Sequence, residues 1–403
     1  MKKESETLNI FLRNIVEIKG RSYLVGGRDH LDYVVVKDAC MSARTLVLLK
    51  RDDCVINLID LYVKSLNTKT MTPISSFRDV GPATNTLRSA ISIRCGEMCV
   101  APRQRDTFRP FSENEFDEHL WIMLSASYLP QQQISKYSPV FAKMLEWYTP
   151  HITWGWNMLL DPRTDTHSFM TNLLLYEVQI RLANILQPII PTPFLKESLL
   201  SLKSDEYGGV FCEGVEKRRT IRLADNLFAL LWSFGNTHGL IPKKSKDASA
   251  FFATLEKSPL GKGLASTTSN EDQHDCLCFF NRFPPSTNTG IPGFAAFGDI
   301  TPSSTYQRLL GISGYNSSMY HTWLMALFEE VRSRVEHIKD TAQSSKAPKL
   351  DREMDRNVFE VMRHTTELDP VETCMFRGDT GHTLGAAFLL RRNMFDLSNT
   401  TWL

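Results

Sequence analysis

A chain of 403 residues with 42% apolar and 23% charged side chains can bury a large core, which excludes wholesale disorder. Its net charge is only +1, so any role in holding a polyanion has to come from basic residues concentrated in one place. No apolar run approaches the ~18 residues of a membrane span, and Met1-Lys2-Lys3-Glu4-Ser5-Glu6 has no apolar segment behind it, so neither a membrane span nor a secretory leader is expected.

The first 60 residues read as strand-rich. Leu8–Leu12, Ser22–Val25, Tyr33–Val36 and Thr45–Leu49 are short apolar or β-branched runs, separated by turn signals at Lys19-Gly20, Gly26-Gly27 and Arg51-Asp52-Asp53. A helix is predicted over Asp53–Leu66 and a further strand over Ala90–Arg94. A connector, Ala101–Pro110, then carries Arg103, Arg105 and Arg109. Ser112-Glu113-Asn114-Glu115 has the form of a capping box, which predicts a helix running past Trp121 to Leu129, where Pro130 stops it. Further helices are predicted over Ile134–Tyr148, from Asp165 or Thr166 to Leu186, and over Phe194–Leu202. Trp147, Trp154 and Trp156 cluster between the first two of these. Leu223–Phe234, Ala248–Leu255, Ser317–Ile338, Asp351–Arg363 and Thr383–Arg392 complete the helical pattern. Residues 258–305 and 342–349 are polar and rich in small residues, the composition of flexible loops.

The expected fold is mainly α with a small β-containing N-terminal part. Its predicted divisions are 1–110, a helical lobe over 111–215, a second helical lobe over 216–395, and a tail over 396–403. The two lobes are expected to flank a basic cleft near residues 210–245.

That cleft is predicted from charge. Between Lys217 and Lys246 lie seven basic residues, Lys217, Arg218, Arg219, Arg222, Lys243, Lys244 and Lys246, against one acid, Asp225. The segment is therefore +6, and the rest of the chain sums to −5. Like charges repel, so such an excess makes physical sense against an anion, and Arg and Lys are the residues that grip phosphates. Phe228, Trp232 and Phe234 lie within the segment as candidate stacking surfaces. Arg103, Arg105, Arg332 and Arg334 are assigned to the same groove, with Arg109, Lys262, Arg391 and Arg392 as secondary candidates. The bland alternative for each is a solvated surface charge.

Other chemistry is weakly marked. His274-Asp275-Cys276-Leu277-Cys278 lacks the second ligand pair that a zinc site needs, so no metal is expected, and no cofactor. Eight cysteines without regular spacing read as free thiols. No nucleophile-elbow, zincin, phosphate-loop or dinucleotide motif occurs. Asp29, Asp32 and Lys37 are the residues a diverged nuclease would use, and His119 with Asp117 is one of several scattered acid–base pairs. No enzyme activity is expected.

Leu310-Gly311-Ile312-Ser313-Gly314-Tyr315-Asn316-Ser317-Ser318, followed by Met319-Tyr320-His321-Thr322-Trp323 and then Arg332 and Arg334, resembles the C-terminal lobe of nucleoproteins from negative-strand RNA viruses of the rhabdovirus and bornavirus type. The Leu120–Leu145 helical pair is similar to their N-terminal lobe. The resemblance covers about a fifth of the chain. It implies a single-stranded RNA coat that clamps phosphates without base specificity. It also implies a homo-oligomer linked by exchanged arms, with a viral polymerase or phosphoprotein as a further partner. The expected location is the virion and the host cytoplasm or nucleus. The alternatives are a protein-only coat or scaffold subunit, and a diverged nuclease or transferase.

Overall fold

Helices carry most of the ordered backbone, and the strands come as pairs and one triplet. The computed structural model describes residues 2–26, 33–79, 108–113, 116–205, 209–216, 220–234, 238–241, 245–257, 293–295, 322–343 and 383–398. The mainly α class is as expected. Strand Ala90–Arg94, Arg103, Arg105, Asp29, Asp32, the segment His274–Cys278, helix Asp351–Arg363 and the end of the tail lie outside the described residues.

The N-terminal part differs from its expectation in two places. Leu8–Leu12 belongs to helix α1 (Lys2–Arg13), and Thr45–Leu49 falls in α3 (Ala43–Leu48). Both are short apolar runs whose period is ambiguous, and a tertiary partner decides them. That partner is α13 (Thr383–Ser398), a helix from the far end of the chain that packs on α1, on α2 (Val36–Met41) and on α3. Thr45 Oγ1 donates to the Ala387 carbonyl at 3.0 Å, and Asn14 Nδ2 donates to Thr383 Oγ1 at 2.9 Å. Thr383 Oγ1 in turn donates to the Val25 carbonyl at 2.6 Å.

The predicted strands at Ser22 and Tyr33 are present. β1 (Ile15–Ile18) and β2 (Arg21–Leu24) form a hairpin whose Lys19-Gly20 turn has positive φ at both residues, 51° and 72°. β3 (Tyr33–Val35), β4 (Ile74–Asp79) and β5 (Phe108–Glu113) form an antiparallel sheet in that order. Helix α4 (Asp52–Ser65), close to its predicted span, packs against β2.

β5 overturns the capping box. Ser112 pairs with Ser76 and Glu113 with Ile74, so this stretch is committed to a sheet. Helix α5 starts later, at Glu118 (Glu118–Ala126), and all nine of its residues are buried. Asp117 precedes it, but its carboxylate does not cap. It accepts from Lys37 Nζ and from Trp121 Nε1, each at 3.0 Å. The predicted Ile134–Tyr148 helix is broken into α6 (Gln131–Ile134), a 3₁₀ turn over Ser135–Tyr137, and α7 (Ser138–Glu146), with Pro139 in the first turn of α7.

A repeated device follows. β6 (Ile152–Thr153) and β7 (Met158–Leu159) make a short hairpin ahead of α8 (Phe169–Arg181). β8 (Lys203–Ser204) and β9 (Val210–Phe211) make another, ahead of β10 (Thr220–Arg222) and α10 (Leu223–Phe234). Helix α9 (Thr192–Ser201) lies between the two units and packs on α8. In each unit an asparagine at the fourth helical position clamps the last residue of the hairpin. Asn172 Oδ1 accepts from Leu159 N at 2.6 Å, while its Nδ2 donates to the Leu159 carbonyl at 3.0 Å and the Ser168 carbonyl at 2.9 Å. Asn226 treats Phe211 and the Arg222 carbonyl in the same way, at 2.8, 2.9 and 2.9 Å. Both side chains are fully buried, so every polar atom there needs a partner, and each has one. Helix α8 begins at Phe169 rather than at Asp165 because residues 161–166 form a tight loop, in which Asp165 has φ 51°.

All twelve residues of α10 are buried, Asp225, Asn226 and Ser233 among them, which makes it a core helix. Helix α11 (Ser245–Lys257) and helix α12 (Thr322–Gln343) pack on it, and α12 pairs with α13. β11 (Gly293–Ala295) runs parallel to β10.

Candidate nucleic-acid interface

Four of the eleven predicted RNA-binding residues are described, and three of them are turned inward. Arg222 is 7% exposed and forms a short ion pair with Glu213, with Asp225 at 4.0 Å. Arg332 binds Glu329 at 2.7 Å, and Arg334 binds Glu330 at 2.9 Å. A buried guanidinium is tolerable only beside a carboxylate, and each of these has one. Arg222 and Arg334 are corrected from groove residues to core ion pairs, while Arg332 is half-buried against Glu329. Lys246, in the first turn of α11, is exposed. Lys217, Arg218, Arg219, Lys243, Lys244, Arg103 and Arg105 lie outside the described residues.

The secondary candidate Arg391 is internal as well. Its guanidinium grips fully buried Glu330 through Nε at 3.1 Å and Nη2 at 2.8 Å, while Nη1 donates to the Met41 carbonyl at 3.0 Å. Burial pushes the Glu330 carboxyl up, but Arg391 and Arg334 outweigh it and hold the group below its usual range. Burial, then the charges of Arg334 and Arg391, lowers the Arg44 guanidinium to about 10. Arg392 is buried too. The aromatic residues of the basic segment are also in the core: Trp121 meets Phe228 and Trp232 with ring centroids 6.0 Å apart, and Phe234 is buried. They are not stacking surfaces.

The exposed aromatic surface lies elsewhere. Among the described residues four large apolar side chains are exposed: Leu12, Trp154 (59%), Trp156 (42%) and Phe194 (51%). The two tryptophans are at the tip of the β6–β7 hairpin, Trp154-Gly155-Trp156-Asn157, where Asn157 takes φ 48°. Phe194 is on α9. The two elements are joined by Ser198, whose Oγ lies 2.6 Å from the Trp156 carbonyl and 3.0 Å from the Phe194 carbonyl. The base of the hairpin is fixed in the core by Ile152, Met158 and Leu159, so the tip stands on a rigid foot.

The residue before the first basic run is anchored near this hairpin. Glu216, the residue directly before Lys217, accepts from the backbone N of His167 at 3.0 Å and takes a short hydrogen bond from His167 Nδ1. Because the partner is a carboxylate, Nδ1 is the donor. Burial pushes the Glu216 carboxyl up, but its hydrogen bonds, led by that from His167 N, hold it below its usual range. The loop approaches so closely that a Cβ on Gly214 would meet the His167 carbonyl oxygen at 2.6 Å. The His167 ring is 6.4 Å from that of Trp156.

The stretch ahead of the second run is anchored on the other flank of α9 from Phe194. Lys196, two residues beyond Phe194 on α9, donates to the His238 carbonyl at 3.2 Å, and Tyr176 donates to the same oxygen at 2.6 Å. Just beyond α9, Lys203 lies within reach of Asp247, the neighbour of Lys246. Burial lowers the Lys203 ammonium, and Asp247 partly offsets this.

Other proposed chemistry is not assembled. Lys37 is held by Asp117, and His119 is a core residue bonded to Tyr62 and the Met71 carbonyl. Among the described residues no group of three or more His, Cys, Asp or Glu side chains is placed to hold a metal ion. No described helix is long and apolar enough to cross a membrane. Cys40, Cys54 and Cys212 are buried free thiols.

No protein-family profile matches this chain, and no curated protein matches it in sequence.

The sequence reading noted the tryptophan cluster but missed Phe194, His167, Glu216, Lys196 and Lys203. A Trp-Gly-Trp-Asn tip between two short apolar runs is a turn signal with its aromatics facing out, and it was legible. The pairing of His167 with Glu216 spans 49 residues and left no local trace.

Proposed function

We propose that this protein binds single-stranded RNA as an assembling coat subunit, a nucleoprotein of the negative-strand-virus type. RNA is held through its phosphates in a basic cleft flanked by two helical lobes, and subunits are linked by exchanged arms. One observation carries the reading. Between Lys217 and Lys246 seven basic residues stand against one acid; of those described, Arg222 is taken up by Glu213 while Lys246 is exposed. Such a local excess, in a chain whose net charge is only +1, is of the kind a polyanion needs.

The test is binding of purified protein to a single-stranded RNA oligomer across a salt series, with microscopy before and after ribonuclease. Affinity should fall steeply with salt. Replacing Lys217, Arg218 and Arg219 together by alanine should flatten the slope of log K against log[salt] by about 2, from ~0.7 per phosphate contact. Rings or filaments that carry nuclease-protected RNA are expected. Assembly in the absence of nucleic acid, insensitive to the triple substitution, supports the protein-only scaffold instead. Absence of binding at low salt ends the proposal.

A further inference from the structure

We infer that a small cavity where α2, α3, α5, α10 and α13 meet is a binding site for one small, easily dehydrated monovalent anion of the halide class. The cavity has a volume of about 10 Å³, room for a single water-sized body. Arg44 of α3 and Arg391 of α13 both line it, with Tyr128 and, from α5 and α10, Trp121, Leu231 and Trp232. The carboxylates that act on this neighbourhood, Glu330 on Arg44 and Glu118 on the Cys40 thiol, are not among its described lining residues. Arg391 is fixed in place: Nε and Nη2 grip Glu330, and Nη1 donates to the carbonyl of Met41, itself a lining residue. None of these residues belongs to the basic runs, so the site stands apart from the RNA reading.

Charge and size select the occupant. Beyond burial, Arg334 and Arg391 lower the Arg44 guanidinium; Arg334 outweighs Tyr128, and Arg391 outweighs Glu330. The field at Arg44 therefore opposes a cation and favours an anion. Apolar walls leave that attraction less screened than it would be at the surface. A water fits by size but does not answer the charge. A space this small has no room for phosphate, a carboxylate-bearing metabolite or a nucleotide. Guanidinium is itself weakly hydrated, which suits an ion that sheds its water readily. Tyr128 also lines an open surface pocket of about 550 Å³, with Lys50, Asp52 and Asp53 around it. One side chain thus borders both the cavity and solvent, which marks the route of entry.

The test is the melting temperature of the full chain against rising sodium chloride, with ionic strength held constant by sodium gluconate, whose anion is too large to enter. Chloride should raise it along a saturating curve, by about 2 °C or more. General salt effects run the other way, because the more strongly excluded anion stabilises more and does so without saturating. Arg44→Met removes one of the two lining guanidiniums and should abolish the chloride response. Leu124→Phe fills the space with both guanidiniums in place and should abolish it too, so the site stays testable where Arg44→Met folds poorly. A wild type that melts alike in chloride and gluconate overturns the site and leaves water as the occupant. A saturating chloride response that survives both substitutions overturns its assignment to this cavity.

Discussion

Two buried groups titrate against each other, and their cancellation is testable. His119 is fully buried in the core between α4 and α5, with Nε2 2.7 Å from the Met71 carbonyl and Nδ1 2.8 Å from the Tyr62 hydroxyl. The carbonyl can only accept, so Nε2 carries the proton, and Nδ1 accepts from tyrosine. Burial lowers the His119 pKa from 6.5 to about 4. The folded state therefore refuses a proton that the unfolded state takes, and stability is lost as pH falls below 6.5. Glu329, buried in α12, behaves in the opposite way. Burial outweighs its partners Arg332 and Arg392 and raises it from 4.5 to about 7. The folded state keeps a proton that the unfolded state releases, and stability is regained as pH falls through 7. At ~1.4 kcal/mol per pKa unit, acidification from pH 7.5 to 5 costs ~2 kcal/mol through His119 and returns ~2 kcal/mol through Glu329. Denaturant unfolding at a series of pH values should give the wild type a nearly flat profile. Glu329→Gln should lose ~2 kcal/mol over that range and His119→Gln should gain about as much, because each variant leaves the other group unopposed. The slopes are read, so any constant change in stability drops out. Two variants that both run parallel to the wild type would refute the reasoning.

Three further outcomes follow from packing. Glu330→Gln strands the Arg334 and Arg391 guanidiniums and should cost ~3–5 kcal/mol by urea unfolding, whereas Glu330→Gln with Arg391→Met should cost clearly less than the sum of its parts. Asn226→Ala leaves the Phe211 N–H and carbonyl without their buried partner and should cost ~2–4 kcal/mol, as should Asn172→Ala at Leu159, each measured by chemical denaturation. Gly239→Ala places a Cβ 2.7 Å from Ser233 Cα and 2.9 Å from its Oγ, the atom that accepts from Ile241 N. The helical backbone cannot yield, so a loss of ~1–3 kcal/mol is expected, visible as a lowered melting temperature.

What was legible in the sequence follows the range of the forces involved. Helix Leu223–Phe234 was predicted to the residue because a long apolar run bounded by charge and glycine is a local signal. Leu8–Leu12 and Thr45–Leu49 were misread because each is too short to fix its own period, and the helix that decides both lies more than 300 residues away. The capping box at Ser112 failed for a related reason. Pairing of β5 with β4 commits Ser112 and Glu113 to a ladder before a helix can use them as a cap. Among the candidate site residues, charge gave the segment but not the direction of each side chain. Arg222 looks like any other arginine until Glu213 is found against it, whereas Glu329–Arg332 and Glu330–Arg334 are pairs that helical spacing already offered.

Those internal pairs bear directly on the charge argument. Arg222 leaves the basic segment, but Asp225 is buried with it, so one positive and one negative charge are withdrawn together. Six basic residues, Lys217, Arg218, Arg219, Lys243, Lys244 and Lys246, then remain with no acid among them, and the excess of the segment is still +6. Glu213, which neutralises Arg222, comes from outside the segment, so the core pair makes no demand on the other six. A carboxylate acts most strongly on a charge in contact with it, and the contacts here tie acids to buried and half-buried arginines: Glu177 to Arg181, Glu329 to Arg332, Glu330 to Arg334 and Arg391. Burying arginine with its own counter-ion therefore sharpens the polyanion argument. The paired arginines of the interior are removed from the count, and the local excess between Lys217 and Lys246 is undiminished by their removal.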